Sequence, residues 1–458
     1  MLNLWRRGKN LSTLFASNAL GTVLGQVVVL LTIPMQLHFL GAEQFGLVVL
    51  FNSFVAAGAL TDLGIGPTVV RYIARTQHHP KALAHVFSTG FTVICLLSLA
   101  VGVIGVVVAA LYPIISERTE LVAGSVSHLM LGLLVVTTIG ASMLTGLGLN
   151  VIKGLRLYRP FAIAESSLRV SVPVAGTVAA SLTKDAGATM FAVCLTFVMA
   201  AFILLSWARN LVNAPNLLTT NLRYFRRKML HFGRWVWVQA IFGFLGAQAD
   251  RFIVAATMSL TALSAYAVAM GVANAMVAAL QAGGGFLLPE ASSRLSDKAW
   301  LAATYRRFTL VFSGLSALGV CVFLFLMVPV LRIWVGVEMA TAVVPILLPL
   351  LWTVSSGASS VPGTQIMNAM GYTRFGALLG IANNSVLLVA MLIAGSVFGL
   401  TGVLGAKLLA VPIGYVARAV TARHVFDSKR PLLDAIGMIW PTVLGAVVVL
   451  PISWKLLT

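Results

Sequence analysis

Residues 93–111 read VICLLSLAVGVIGVVVAAL and contain no charged side chain. A helix of this length can cross the hydrocarbon core of a bilayer, which is about 30 Å thick and needs roughly 20 apolar residues. The rest of the chain has the same character, because 59% of its 458 residues are hydrophobic and 9% are charged. Soluble proteins average about 25% charged residues. The sequence therefore predicts an all-α polytopic membrane protein.

Reading the whole sequence in this way predicts 13 membrane-spanning helices. The first follows a basic segment, Trp5–Lys9, but its apolar stretch is too long for a cleaved signal peptide. The three cysteines lie inside apolar stretches and indicate no disulfide framework. The predicted spans lie near residues 12–39, 44–70, 85–113, 123–147, 161–183, 187–207, 233–257, 262–288, 308–331, 341–368, 376–397, 401–422 and 434–455.

The basic residues predict the orientation of these spans. Most of the 31 Lys and Arg residues lie in alternate gaps, on the side that holds the N-terminus. Lys and Arg residues are retained in the cytoplasm during membrane insertion, so we expect a cytoplasmic N-terminus. The formal net charge of +19 then reflects topology and attraction to anionic lipids, and we expect no nucleic-acid partner. The exceptions on the opposite side are Arg118, Lys184, Arg332 and Lys455.

The two halves of the sequence resemble each other. The segment Gly154–Arg159 resembles Ala369–Arg374, at an offset of 215 residues. Each pair of matching segments crosses the membrane in the same direction, which favours a parallel repeat of the kind found in transporters. Chance similarity between apolar segments is the alternative. The other matches are Gly187 with Gly402, also at 215, and Glu43–Gly46 with Ser264–Ala267, at 221.

These repeats predict two parallel six-helix bundles around a central cavity, with 12 or 13 transmembrane helices in total. The connector between the bundles contains a basic segment, Arg223–Lys228, that is typical of an amphipathic stretch on the membrane surface. The predicted parts are an N-terminal bundle over 1–208, a basic cytoplasmic connector over 209–233, a C-terminal bundle over 234–424 and an additional transmembrane helix within 425–458.

Six ionisable residues lie within predicted spans, where each costs about 2.5–3.5 kcal/mol at the bilayer centre on insertion scales. Such residues are expected to face a partner or a water-filled cavity. The acids are Asp62, Glu165 and Asp250, and the bases are Arg169, Arg251 and Lys407. We predict that the three bases bind an anionic substrate in a cationic lumen, and that the acids tune this lumen or couple transport to an ion. The alternative is a set of interhelical ion pairs; Glu165 and Arg169, four residues apart, can pair on one helix face.

Amides and helix breaks within the spans complete the predicted site. Amide side chains can line a polar lumen or bridge helices, and Gly/Pro breaks at matching places in two repeats point to moving parts or to close packing. The candidate lumen amides are Asn18, Gln26, Asn52, Gln239, Gln248, Asn274, Gln281, Asn383 and Asn384. The candidate hinge or gate residues are Gly64, Gly66, Pro67, Gly283, Gly284, Gly285 and Pro289.

The sequence contains no signature of an enzyme. It has no Walker A loop, no HExxH, no CxxC and no nucleophile elbow. The seven histidines are scattered, so we expect neither a metal site nor a cofactor. The gaps on the side opposite the N-terminus are too short for the polar domain of a membrane glycosyltransferase or polysaccharide ligase. We therefore expect a monomeric transporter driven by an ion gradient, the membrane potential or the substrate gradient.

Four short motifs resemble those of Wzx-type polysaccharide flippases, the O-antigen and exopolysaccharide exporters. The resemblance covers spans 1–12, and it implies the fold of the multidrug/oligosaccharidyl-lipid/polysaccharide (MOP) exporter superfamily. The commoner members have 12 or 14 spans, whereas this sequence has room for 13. The motifs are Ile33-Pro34 with Leu40–Gly46, Asp62–Gly64 with Arg71–Ala74, Asp250–Ile253 with Tyr266, and Gly371–Arg374.

The resemblance implies a flippase that moves an undecaprenyl-pyrophosphate-linked oligosaccharide to the periplasmic leaflet of a bacterial inner membrane. Its partners would be this substrate, membrane lipids and the polysaccharide polymerase or ligase machinery. A lipid II flippase has nearly the same substrate chemistry and remains an alternative. A cation-coupled multidrug exporter of the same superfamily would favour an acidic lumen.

Overall fold

The computed structural model describes residues 11–61, 64–76, 78–115, 128–219, 230–284, 287, 291, 295–370, 372–426 and 428–441. These residues are almost entirely helical and contain no β-strand. The helices are α1 Leu11–Thr61, α2 Ile65–Thr76, α3 Pro80–Ile115, α4 His128–Gly154, α5 Tyr158–Thr183, α6 Ala186–Val212, α7 Leu230–Thr257, α8 Leu260–Gly284, α9 Lys298–Val335, α10 Val337–Ala358, α11 Val361–Ala369, α12 Thr373–Leu408, α13 Ala410–Phe426 and α14 431–441.

Among the described residues, eight helical segments are long and apolar enough to cross a membrane. Two of them contain a backbone break at a glycine: Gly41 in α1, with a φ of 75°, and Gly399 in α12, with a φ of 60°. A positive φ carries no steric penalty at glycine, so these two positions divide long helices into successive spans. Both breaks fall in gaps that the sequence predicts between spans. The chain is a multi-pass, all-helical membrane protein.

The helices pack into two units, Met1–Phe244 and Leu245–Thr458. The division falls inside α7, after the connector that the sequence suggests as the boundary. Residues 220–229, which hold the basic part of that connector, lie outside the described residues, as does the end of the thirteenth predicted span beyond residue 441.

In the first unit, α4 is the central helix and packs against α1, α2, α3, α5 and α6. Its core is built from large side chains that are almost completely buried, such as Ile73, Phe87 and Leu147. In the second unit, α10 packs against α8, α9, α12 and α13. The central helices of the two units thus overlap predicted spans 4 and 10, which occupy equivalent places in the proposed repeat.

The helix ends that follow α4 and α11 have the same hydrogen bonds. After α4, the N–H of Leu157 donates to the carbonyl of Ile152 at 3.2 Å, across Arg156, which has a φ of 61°. At the repeat offset of 215 residues, the N–H of Tyr372 donates to the carbonyl of Met367 at 2.9 Å. Both bonds are of the type that closes a Schellman helix end. The repeat predicted from sequence therefore has a counterpart in backbone geometry.

A side-chain contact recurs as well. A Cβ added to Gly25 of α1 would lie 3.0 Å from Cβ of Arg169 on α5. A Cβ added to Gly246 of α7 would lie 2.7 Å from Cγ of Asn384 on α12. Gly246 follows Gly25 by 221 residues and Asn384 follows Arg169 by 215, which are the two offsets of the sequence matches. In both units, therefore, a glycine allows two helices to approach closely at the same position.

Candidate functional site

A buried cluster of charged residues lies in the second unit, and Asp250 of α7 is its centre. The side chain of Asp250 is 1% exposed. Its Oδ2 accepts a hydrogen bond of 2.5 Å from the hydroxyl of Tyr266 on α8 and another from Nζ of Lys407 on α12. Its Oδ1 accepts the backbone N–H of Arg251 at 2.8 Å. Three donors therefore stabilise one carboxylate, and these hydrogen bonds offset the cost of burying its negative charge.

Lys407 forms an ion pair with Asp250 and is 12% exposed. Its Nζ also lies 3.9 Å from Sδ of Met270 and 5.6 Å from the centre of the Tyr266 ring. The carboxylate of Asp250 neutralises the ammonium group, and the aromatic face and the sulfur add weaker favourable contacts. Lys407 is therefore not a free cation in this conformation, as a purely cationic lumen would require.

Arg251 adds a second positive charge beside this pair. Its Nη1 donates to Oε1 of Gln248, one turn earlier on α7, at 3.0 Å. Its Nε is buried and has no hydrogen-bond partner in the structure as described. With one acid and two bases, the cluster carries one net positive charge, and that charge is on Arg251.

The helix breaks and glycines described above position these side chains. The close approach at Gly246 packs α7 against the part of α12 before its break, and Asp250, one turn later on α7, pairs with Lys407 beyond the break. Lys407 lies eight residues after the break at Gly399, near the end of α12. Its backbone carbonyl also accepts a hydrogen bond of 3.4 Å from the hydroxyl of Thr353 on α10. Four helices, α7, α8, α10 and α12, therefore meet at this lysine.

The equivalent positions of the first unit are apolar. At the repeat offsets, the positions of Asp250, Tyr266 and Lys407 correspond to Val29, Phe45 and Ala192. The first copy of the sequence repeat thus has apolar side chains at all three positions. A buried ion pair often adds little net stability compared with well-packed apolar residues. Its presence in the second unit, where the first unit has apolar residues, therefore favours a functional role.

The predicted pair on α5 also forms. Nη2 of Arg169 donates to Oε1 of Glu165 at 2.9 Å, with side-chain exposures of 48% and 28%. This exposure contrasts with the burial of the Asp250–Lys407 pair. Arg169 also packs against Gly25, at the place where the second unit has Asn384. The structure thus separates the predicted cationic residues into two groups, one in each unit.

The predicted amides that the structure describes lie on helices of both units. Asn52 and Gly66 help to line a cavity of about 420 Å³ in the first unit, together with Ser142 and Asn150. Nδ2 of Asn383 donates to Oδ1 of Asn384 at 3.1 Å. Gln26 and Asn274 are half-buried, on α1 and α8. The side chains of Asn18, Gln239 and Gln281 lie outside the described part of the chain.

The structure describes only part of the predicted hinges. Gly64 has a φ of 73° and directly precedes α2, and Pro67 is exposed in the first turn of that helix. Gly283 and Gly284 are the last residues of α8. The predicted site residues Asp62, Gly285 and Pro289 lie outside the described residues.

Sequence reasoning missed one buried base, Arg418 of α13. It is 5% exposed, although its place near the end of a predicted span suggests a cytoplasmic position. The only signal in the sequence is that this arginine comes four residues before the predicted end of the span, rather than in the gap beyond it. Among the described residues, no group of three or more His, Cys, Asp or Glu side chains could hold a metal ion.

Comparison with known protein families identifies a matching family. Residues 14–289 match the model of the polysaccharide biosynthesis protein family, more than half of the sequence and including Asp250, Arg251 and Tyr266. The chain belongs to this family. A comparison of the sequence with curated proteins finds no significant match.

Solved structures with the same fold are transporters of the MOP superfamily. The fold is similar to that of the lipid II flippase MurJ in an inward closed conformation, with a TM-score of 0.67 at 12% identity, covering 94% of this chain and 98% of that one. It is also similar to an inward-facing MATE multidrug resistance transporter of the MOP superfamily, with a TM-score of 0.60 at 10% identity, covering 96% of each chain. A point mutant of the Vibrio cholerae MATE transporter VcmN gives a TM-score of 0.53 at 14% identity, covering 92% of this chain and 99% of that one.

Proposed function

We propose that this protein moves an undecaprenyl-pyrophosphate-linked oligosaccharide from the cytoplasmic to the periplasmic leaflet of a bacterial inner membrane by alternating access. The observation that carries the proposal is the buried Asp250–Lys407–Arg251 cluster of the second unit. Membership of the polysaccharide biosynthesis protein family supports the class of substrate.

The chemistry of the cluster suits a pyrophosphate headgroup. Such a group carries several negative charges and needs cationic donors once it leaves water. Arg251 has an unpartnered buried Nε and supplies one net positive charge. Guanidinium groups bind phosphate oxygens through short, charge-assisted hydrogen bonds. Arg251 is therefore the first contact that we propose for the headgroup, with Arg169 of the first unit as a second cation.

Lys407 enters this mechanism only when its pair with Asp250 opens. An approaching pyrophosphate competes with the carboxylate for the ammonium group, and a proton on Asp250 would release Lys407 in the same way. Asp250 is therefore the proposed coupling residue, and Tyr266 keeps the carboxylate in place in either state. A ligand or proton shifts the balance between two conformations only if it interacts differently with each. The Asp250–Lys407 pair can therefore contribute to transport only if it opens in one of them.

Two other substrates are tested against this proposal. The likeness to the lipid II flippase MurJ favours lipid II as the second candidate, since its lipid pyrophosphate has the same chemistry. A cationic drug, the substrate of a multidrug exporter, is disfavoured because the buried cluster carries net positive charge.

The test is a flipping measurement with purified protein in liposomes. Three lipids are loaded in the outer leaflet: a pyrophosphate-linked oligosaccharide, lipid II, and a lipid with the same oligosaccharide but no phosphate. We expect protein-dependent transfer of the first and none of the phosphate-free lipid. Transfer of lipid II alone would replace the proposed substrate by the second candidate, and transport of a cationic dye in place of all three lipids would contradict the proposal.

A further inference from the structure

Arg418 is a buried base without a charge partner in the structure as described. It lies at the middle of α13 and is 5% exposed. Its Nη2 donates to the carbonyl of Ser356 at 2.6 Å and to the hydroxyl of Ser359 at 2.5 Å. Its Nε and Nη1 are buried with no hydrogen-bond partner. Two of the three guanidinium nitrogens are thus left without an acceptor.

One part of this arrangement is structural. Ser356 and Ser359 lie at the break between α10 and α11, where the last carbonyls of a helix lack partners within it. Nη2 satisfies one of these carbonyls, and a cation is favourable at a helix C-terminus. This explains one nitrogen only. A buried charge with incomplete hydrogen bonding is costly in free energy. A bound acceptor would lower this cost.

Both unpartnered nitrogens are buried, and a glycine packs close to one of them. A Cβ added to Gly414, one turn earlier on α13, would lie 3.2 Å from Nη1, so any larger residue here would crowd the guanidinium group. At the repeat offset, Arg418 and Ser356 correspond to Ile203 and Ala141. The first unit therefore has no guanidinium group at the position that corresponds in sequence.

Arg418 lies at the basic end of the second unit. The ring of Tyr305, near the start of α9, stacks on Phe426 at the end of α13, with 4.9 Å between ring centres. The start of α9 and the end of α13 therefore meet, and both carry exposed arginines: Arg306, Arg307 and Arg423. By the distribution of basic residues, this is the predicted cytoplasmic end, where lipid phosphates are the abundant oxyanions.

We propose that Arg418 is an anion-binding site for a phosphate group, distinct from the Asp250–Lys407–Arg251 cluster. The phosphate comes from one of two sources, a phospholipid headgroup or the pyrophosphate of the transported lipid. The second source rests on the proposed function, whereas the site itself rests on the geometry of Arg418. In this site, phosphate oxygens accept hydrogen bonds from Nε and Nη1, while Nη2 keeps its bonds to Ser356 and Ser359.

The experiment measures the melting temperature of the full chain in neutral detergent, by intrinsic fluorescence, against increasing sodium pyrophosphate. Sodium chloride at equal ionic strength is the control for screening, and phosphatidylglycerol replaces pyrophosphate in a second arm. The variants are Arg418→Met, the exposed neighbour Arg423→Gln as matched control, and Arg251→Gln to remove the free charge of the other cluster. If Arg418→Met does not fold, Arg418→Lys replaces it, with an expected rise of about tenfold in the half-saturating concentration.

We expect a saturable rise in melting temperature for the wild type that persists in Arg423→Gln and in Arg251→Gln and is lost or reduced in Arg418→Met. Without anion, Arg418→Met should melt at or above the wild-type temperature, because it removes a poorly compensated buried charge. Among responses that are lost in Arg418→Met, a response to phosphatidylglycerol alone identifies a phospholipid headgroup, and a response to pyrophosphate alone assigns the site to the pyrophosphate of the transported lipid.

Two outcomes would overturn the inference. In one, the response is lost in Arg251→Gln but fully kept in Arg418→Met, which assigns the anion to the other cluster and leaves the proposed function intact. In the other, the wild type responds to neither anion, which contradicts an anion site whatever the stability of Arg418→Met and leaves Arg418 only as the cap of α10. A failure of the flipping assay would contradict the proposed function without affecting a response that depends on Arg418.

Discussion

At the scale of single residues, a carboxylate and an ammonium group 157 residues apart in sequence share one buried hydrogen bond. The sequence marks Asp250, Arg251 and Lys407 as costly in a bilayer, but it gives no partner for any of them. The pairing depends on how α7 and α12 meet, which hydropathy does not encode. Arg418 shows the same limit, because a base near a span end can turn outward to water or inward to a neighbouring helix.

Tyr266 is expected to stabilise Asp250 through its hydroxyl alone. Tyr266→Phe keeps the ring but leaves Oδ2 of Asp250 with one donor fewer, so we expect a loss of about 1–3 kcal/mol, seen as a lower melting temperature in detergent. The substitution keeps the ring, and the corresponding residue of the first unit is Phe45. Tyr372→Phe, at an exposed tyrosine, is the matched control. Equal melting of Tyr266→Phe and wild type would show that the hydroxyl contributes nothing.

A double substitution can separate the role of the Asp250–Lys407 pair in transport from its contribution to stability. Lys407→Met alone leaves a buried carboxylate without its counter-ion and should cost about 3–5 kcal/mol. Asp250→Asn with Lys407→Met removes both charges and should recover most of this loss. If the pair serves transport, the double variant will be stable yet inactive in a complementation assay for polysaccharide export. A stable and fully active double variant would reduce the pair to packing.

At the scale of helices, uncharged stretches of about 20 residues predict most elements, since a bilayer imposes one length on each span. The divisions at Gly41 and Gly399 coincide with predicted gaps. The predicted span 341–368 is instead divided into α10 and α11 at Ser359-Ser360. Its apolar pattern continues through this break, and the hydrogen bonds from Arg418 that hold it come from α13, so local sequence does not reveal it.

Contact between α7 and α12 should depend on the missing side chain of Gly246. Gly246→Ala places a Cβ 2.7 Å from Cγ of Asn384, so the amide has to move and the melting temperature should fall, by the equivalent of about 1–3 kcal/mol. Gly243→Ala, one turn earlier, meets no atom within 4 Å and should be neutral or slightly stabilising, since alanine is the better helix former. Equal melting temperatures for the two variants would contradict the close packing.

At the scale of the whole molecule, internal repetition is visible in sequence and recurs in backbone hydrogen bonds and glycine contacts at the same two offsets. The difference between the units is equally informative. Among the residues that the structure describes, the fully buried charges, Asp250 and Arg418, lie in the second unit, and the positions that correspond to them in the first unit are apolar. Repetition thus specifies the fold, and departures from it mark the candidate sites.

The predicted topology can be tested with reporter fusions along the chain. Fusions after Arg75, Arg159 and Arg374 should report a cytoplasmic position, because basic residues concentrate on that side. Fusions after Glu117, Asp185 and Glu338 should report a periplasmic position. Asp185 caps the start of α6 at the far end of α5 from Arg159, so these two fusions examine a single helix. One reversed reading would change the number of spans.

Arg251 carries the net charge on which the proposed transport of a pyrophosphate depends. The measurement is the initial rate at which protein in liposomes flips a pyrophosphate-linked oligosaccharide, compared between wild type, Arg251→Lys and Arg251→Ala at equal amounts of folded protein. We expect wild-type transfer, a reduced rate for Arg251→Lys, which keeps the charge but loses the guanidinium geometry, and no transfer above protein-free liposomes for Arg251→Ala. Transfer by Arg251→Ala at the wild-type rate would contradict the role of this cluster in binding the headgroup.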